Sequence, residues 1–219
     1  NVTDILAKTD NALDAAILQE TARILEDIVP TAGERSLPAA ERWQILQFSA
    51  HFMQDFRAAN FGTEISPEQL MDLVVDNAVN LAHQNIMDHM TLVGSSHGTL
   101  HVLRGNSTML MSMFSDPALG FTPEMRVLAL QATFDHDMGY TKRTLTGSTE
   151  GQGVFAASKD HPLESTLRIE ANRDAYVKIF GVDGYNTLRN AVLDHSDPVG
   201  KNQYADGRTK VDILGDPNA

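Results

Sequence analysis

The spacing of apolar residues is the feature that most constrains the fold of this chain. Apolar side chains recur at steps of three and four residues over most of its length, as in the stripe from Leu13 through Ile17 and Ile24 to Ile28. That spacing matches the 3.6 residues of an α-helical turn and places the stripe on one buried face. Strand patterns are scarce, and no Asn-Gly turn is flanked by alternating residues. The sequence therefore predicts an all-α, multi-helix bundle.

Local signals mark where several of these helices begin and end. Ser66-Pro67 and Thr122-Pro123 each combine a capping hydroxyl with a proline suited to the first helical turn. His161-Pro162 is predicted to open a further helix that Gly181 ends, because glycine favours the residue after a helix. A shorter helix is predicted over about residues 185–195.

Length and charge limit the organisation and the partners of the chain. The 219 residues fit one domain, or one domain with a helical extension, and 42% of them are hydrophobic, enough to form a core. We predict an N-terminal helical region at 1–94 that packs on a core at 95–219, with the boundary near Gly94. The formal charge of −12 repels polyanions, so no extended nucleic-acid partner is expected. A metal ion can reverse the charge locally and attract a small phosphate ester.

The chain contains no cysteine, which excludes disulfides, thiolate metal sites and cysteine nucleophiles. This composition fits a reducing compartment, and a cytoplasmic location is expected. No apolar stretch approaches the roughly 20 residues needed to cross a bilayer, so no membrane partner is expected. Homo-oligomer formation stays open at this stage.

Histidines supply the clearest chemical signal. Eight are present, and five of them lie between residues 97 and 195. A predicted helix runs directly into His136-Asp137, and imidazole with carboxylate suits a divalent ion such as Fe, Mn, Co, Ni, Zn or Mg. His101, His161 and His195 belong to three other predicted helices, each near an irregular connection. A metal site between the helices of a bundle requires this distribution.

The remaining histidines are expected to be structural. His51 lies among apolar neighbours and is expected in the core or at its boundary. His83 and His89 are expected near the surface. His97 follows a Gly-Ser-Ser segment typical of a loop or cap, and is left outside the ligand set.

The order of these motifs resembles the HD-domain metal-dependent phosphohydrolases over roughly residues 97–195. The motifs are His101-x-x-Arg104, His136-Asp137-x-Gly139, His161-Pro162-x-x-Ser165 and a final His195. The resemblance implies an HD-domain-like bundle that holds one or two divalent metal ions. By this resemblance His101, His136 and Asp137 are the core ligands. His161 and His195 match the additional histidines of members with two metals. The final carboxylate is assigned to Asp212, with Asp216 or a residue beyond the present C-terminus as alternatives.

The resemblance also implies a reaction. A metal-activated water would hydrolyse a small phosphate ester, a nucleotide or a related compound, with Asp137 bridging the ions or transferring a proton. Arg104 and Lys142 would stabilise the negative charge that develops on the phosphoryl group. Two alternatives use the same fold: a di-iron oxygenase with the same ligands, and a module that senses a ligand without turnover.

Overall fold

The computed structural model describes residues 5–6, 9, 11–28, 37–90, 107–138, 162–163 and 165–195. These ranges are helical or irregular and contain no strand, which confirms the predicted all-α fold. The elements with defined bounds are α1 (Ala12–Asp27), α2 (Ala39–Ala58), α3 (Pro67–Met90), α4 (Ser107–Phe114), a 3₁₀ turn (Pro117–Leu119), α5 (Pro123–Asp135) and α6 (Arg173–Asp194). No helix in the described part of the chain combines the length and apolarity needed to cross a membrane.

The chain divides into two compact units, residues 1–134 and residues 135–219. Unit 1 contains α1 to α4 and nearly all of α5, and unit 2 contains α6. The predicted boundary near Gly94 falls outside the described residues, so the division at 94 stays a prediction.

The helix starts predicted at Ser66-Pro67 and Thr122-Pro123 are confirmed, whereas the start predicted at His161 lies outside the described residues. The Ser66 backbone N–H donates to Gln69 Oε1 at 2.9 Å, and the Gln69 N–H donates to Ser66 Oγ at 3.3 Å, which is a reciprocal capping box at the start of α3. At the start of α5, Thr122 Oγ1 accepts from the Met125 N–H at 3.2 Å. These side chains satisfy N–H groups that have no partner within the helix.

The core of unit 1 forms where α1, α2 and α3 pack on one another. Aromatic rings extend this core to α5, because Phe134 meets Phe48 at a centroid distance of 4.8 Å and Phe52 at 5.9 Å, both edge to face. The fully buried members of this core include Ile17, Leu18, Leu25, Ile45, Leu46, Phe52, Met53, Leu81, Leu130 and Phe134.

One polar pair is buried inside unit 1. Asn77 Nδ2 donates to Gln131 Oε1 at 2.8 Å, and Gln131 Nε2 donates back to Asn77 Oδ1 at 2.9 Å. Asn77 lies on α3 and Gln131 on α5, and both side chains are almost completely buried. Buried amides are costly unless they are hydrogen-bonded, so this pair fixes how the two helices face each other.

We expect Asn77→Leu to destabilise unit 1, because Gln131 loses both hydrogen bonds to Asn77 and remains buried. The expected loss in free energy of unfolding is about 1–3 kcal/mol. Urea titration followed by fluorescence of Trp43 reports on unit 1, since the chain has a single tryptophan. Asn80→Leu is the matched control: Asn80 lies on the same helix but is partly exposed, so a change within about 0.5 kcal/mol is expected. Equal losses in the two variants would contradict the role of the pair.

In unit 2, Gly181 interrupts α6 with φ 70° and ψ 173°, a conformation essentially restricted to glycine. This confirms the prediction that a helix ends at Gly181, and a second helical run continues to Asp194. The expected single helix from His161 to Gly181 is interrupted earlier, because a turn at Asn172 separates helical residues 165–171 from α6. The sequence carries no glycine or proline at that turn, which is why its position was missed.

Candidate metal centre

The His136-Asp137 pair lies directly after the end of α5. The helix ends at Asp135, and residues 136 and 137 form the turn that follows. Both side chains are buried. Neighbouring residues on a helix point about 100° apart, so a turn is needed for two adjacent side chains to approach one point.

Side chains that follow in the chain hold this turn in place. Ser165 Oγ donates to the main-chain oxygen of His136 at 2.7 Å, and Arg168 Nη1 donates to the main-chain oxygen of Met138 at 2.8 Å. The Tyr176 hydroxyl donates to Asp135 Oδ2 at 3.1 Å. Residues on both sides of the His-Asp pair are therefore fixed by unit 2 itself.

His195 follows the last residue of α6, and its side chain is oriented by its own helix end. Its Nδ1 lies 2.6 Å from the main-chain oxygen of Val192. A carbonyl oxygen only accepts, so Nδ1 carries the hydrogen, and in the neutral ring Nε2 is the nitrogen with the lone pair that can bind a metal ion. This arrangement is the usual one for a metal-binding imidazole, whose second nitrogen donates to a carbonyl or carboxylate.

The three side chains converge on one place. His136 Nε2 lies 3.2 Å from Asp137 Oδ2, and His195 Nε2 lies 3.8 Å from Asp137 Oδ1. The two imidazole rings are 4.9 Å apart between centroids and nearly perpendicular, at 86°. One ligand atom from each residue can be chosen so that all three lie within 4.8 Å of one another.

The donor set suits a divalent ion, and the closest of its separations matches the spacing of ligand atoms on one ion. Bonds of about 2.1 Å from one ion place neighbouring ligand atoms roughly 3.0–3.4 Å apart in octahedral or tetrahedral geometry. The 3.2 Å contact of Asp137 Oδ2 falls in that interval, and the 3.8 Å contact of Asp137 Oδ1 requires a wider angle at the ion. The three ligand atoms lie within 4.8 Å of one another, and two such bonds cover at most about 4.2 Å, so the side chains draw together slightly if one ion binds all three. Two imidazoles and one carboxylate also match the ligand sets of catalytic zinc and non-haem iron sites, which keep positions open for water or substrate.

The structure therefore brings together His136, Asp137 and His195 out of the predicted set. The other predicted site residues, His101, Arg104, Lys142, His161 and Asp212, lie outside the described residues, and their placement stays a prediction. Within the described ranges, no other three histidine or acidic side chains were found to converge in this way.

Sequence reasoning missed the residues that support the centre. Ser165 belongs to the motif that begins at His161, but its contact with the His136 carbonyl has no local signature. Arg168 follows three positions later, on the same face of a helix, and that spacing is a signal that could have identified it. Nothing in the sequence links Tyr176 to Asp135.

A second set of contacts connects the helix that carries His195 to residues 165–171. Arg189 lies six residues before His195, and its Nη1 is 3.2 Å from Glu170 Oε1. The Arg189 and Arg173 guanidinium groups lie 5.8 and 5.5 Å from the centroid of the buried Tyr185 ring. Burial raises the pKa of the Tyr185 phenol, and Glu170 adds to this effect, so the phenol stays neutral between its guanidinium neighbours.

No protein-family model, curated protein or solved structure matches the chain. The fold and the geometry of the centre are therefore inferred from the sequence and structure of this chain alone.

We expect Ser165→Ala to destabilise unit 2, because the variant removes a buried hydrogen bond to the His136 carbonyl. The expected loss is about 1–3 kcal/mol in the free energy of unfolding. Tyrosine absorbance during urea titration reports on unit 2, which contains all four tyrosines.

Thr166→Val provides the matched control for this experiment. Thr166 is equally buried, but its hydroxyl donates at 2.7 Å to the Pro162 carbonyl within its own helix. Valine keeps the shape, and the expected change is within about 0.5 kcal/mol. If Thr166→Val costs as much as Ser165→Ala, the turn does not depend on the Ser165 contact.

Proposed function

We propose that the chain is a metal-dependent phosphohydrolase of the HD-domain type, acting on a small phosphate ester such as a nucleotide. The convergence of His136, Asp137 and His195 is the observation that carries this proposal. Residues 136 and 195 are far apart in the sequence, so their meeting at one carboxylate is a property of the fold. The motif order described above, from His101 to His195, supports the HD type.

In this proposal a divalent ion is bound by His136, Asp137 and His195, with His101, His161 and Asp212 as further ligands of one or two ions. When bound, such an ion polarises a phosphoryl oxygen and lowers the pKa of a coordinated water, which supplies hydroxide at neutral pH. The identity of the ion is not fixed by these ligands, since Fe, Mn, Co, Ni, Zn and Mg accept combinations of imidazole and carboxylate.

The protein's own groups then orient the reaction. The Val192 carbonyl sets the ring orientation and tautomer of His195, and Ser165 holds the backbone of His136. Asp137 would help to hold the ion and would also be the group that accepts a proton from the attacking water, since a carboxylate has two oxygens. Arg104 and Lys142 are proposed to meet the charge that develops on the phosphoryl group.

Metal binding tests the centre directly. After treatment with chelator, the full chain is expected to bind Mn²⁺, Co²⁺ or Zn²⁺ in calorimetry, with at least one ion per chain. His136→Ala and Asp137→Asn should each weaken that binding by about 100-fold or more, because each removes a ligand atom from a small donor set. His51→Ala is the control, since His51 is exposed, lies in unit 1 and belongs to no such cluster among the described residues. Full metal content and full turnover in His136→Ala would overturn the proposal.

Turnover separates the hydrolase from its alternatives. We expect the metal-loaded chain to hydrolyse bis(p-nitrophenyl) phosphate or p-nitrophenyl phosphate, and Asp137→Asn to lose that activity together with metal affinity. Dioxygen consumption by the iron-loaded chain, without phosphate release, would favour an oxygenase instead. Metal and nucleotide binding with no turnover of either kind would favour a sensing module.

A further inference from the structure

Unit 1 contains a cleft that the proposed metal chemistry does not use. The cleft has a volume of about 720 Å³ and lies between α1 and α2. Small-molecule sites in proteins occupy roughly 300–1,000 Å³ and are mostly apolar with a few polar groups. The cleft is therefore large enough for a molecule of the size of a nucleoside.

One face of α2 forms most of the wall. Trp43, Gln47, Ala50, Gln54 and Arg57 follow one another at steps of three and four residues, and all of them line the cleft. Such spacing places side chains in one row along a helix. Ala50 lies in the middle of the row, and its small side chain leaves space between the two glutamines.

Apolar groups and hydrogen-bonding groups are combined in this lining. Leu18 and Met53 are almost fully buried and contribute apolar surface, and Trp43 adds an aromatic ring. Within the described part of the chain, the side-chain amides of Gln47 and Gln54 make no hydrogen bond. The amide of glutamine can both donate and accept, so the wall can pair with a ligand that carries both kinds of group.

The Trp43 indole can meet a ligand in the cleft with its ring but not with its N–H. Its Nε1 is buried and has no hydrogen-bond acceptor in the described part of the chain. A buried donor without an acceptor carries a desolvation cost that nothing offsets, and such groups in native proteins call for an explanation. A ligand in the cleft cannot supply the acceptor without a local shift of the ring, because solvent does not reach this atom.

The charge of the cleft excludes a strongly anionic ligand. Arg57 is the cation of the lining, and its guanidinium is already bound to both carboxylate oxygens of Asp14, at 2.9 and 2.8 Å to Nε. Asn11 Oδ1 also accepts from Arg57 Nη2, at 3.3 Å. The Arg57–Asp14 ion pair therefore lines this end of the cleft with a group that has no net charge.

We propose that this cleft binds an uncharged heteroaromatic molecule with donors and acceptors on its edge, the chemistry of a nucleobase or nucleoside. The aromatic ring contacts Trp43 and the apolar groups, and the edge pairs with Gln47 and Gln54. The site lies wholly within unit 1 and does not depend on metal binding by unit 2.

The single tryptophan makes the test direct, because Trp43 is itself part of the wall. The full chain, stripped of metal, is titrated with adenosine while Trp43 fluorescence is recorded. A saturable change is expected with adenosine, and a much weaker one with toluene, which is apolar and has no hydrogen-bonding edge. No saturable change with adenosine, or equal affinity for toluene, would overturn the proposal.

Two variants locate the binding in the cleft. Ala50→Leu fills the middle of the row and should weaken adenosine binding by about tenfold or more, whereas Ala40→Leu should leave it unchanged. Ala40 is the matched control, since it lies on the same helix, is exposed and is outside the cleft.

Gln47→Leu keeps the size of the side chain and removes its hydrogen bonds. It should weaken adenosine binding by about fivefold and leave toluene binding unchanged, with the circular dichroism of the parent chain. Unchanged adenosine affinity in both Ala50→Leu and Gln47→Leu would place the binding elsewhere and sink the assignment.

Discussion

The turn at residues 135–138 is the constraint on which the candidate centre depends. A helix that continued past Asp135 would direct the side chains of residues 136 and 137 about 100° apart. The chain turns instead, and the hydrogen bond from Ser165 to the His136 carbonyl, with that from Arg168 to the Met138 carbonyl, holds the turn in unit 2. These contacts satisfy main-chain groups of the turn and use no atom of the imidazole or the carboxylate.

The features predicted correctly from the sequence are those whose causes are local. The capping contacts of Ser66 and Thr122 span three residues, and the stripe of α1 repeats within two turns, so the residues themselves reveal them. The Asn77–Gln131 pair spans 54 positions and depends on how two helices pack. The turn at Asn172 has no glycine or proline to mark it. His51 was expected in the core or at its boundary because of its apolar neighbours, but it is exposed on α2.

The candidate site shows the same division between local and long-range causes. The residue types in His136-Asp137 indicated a metal ligand pair, and the motif order added His195, which the structure places beside them. The supporting contacts of Ser165, Arg168 and Tyr176 join segments about thirty to forty residues apart, and no periodic pattern records such contacts. The sequence could therefore nominate the ligands but not the residues that orient them.

Charge gives a physical reason why such a centre would suit a phosphate ester in so acidic a chain. The whole protein carries a formal charge of −12, which opposes the approach of an anion. A divalent ion held by two neutral imidazoles and one carboxylate would leave a local charge of about +1, and burial of His136 and Asp137 would limit its screening by solvent. A second carboxylate, such as the one proposed for Asp212, would cancel this charge on a single ion, whereas additional histidines would preserve it. A ligand set rich in histidine is thus the composition that keeps the centre attractive to a phosphate.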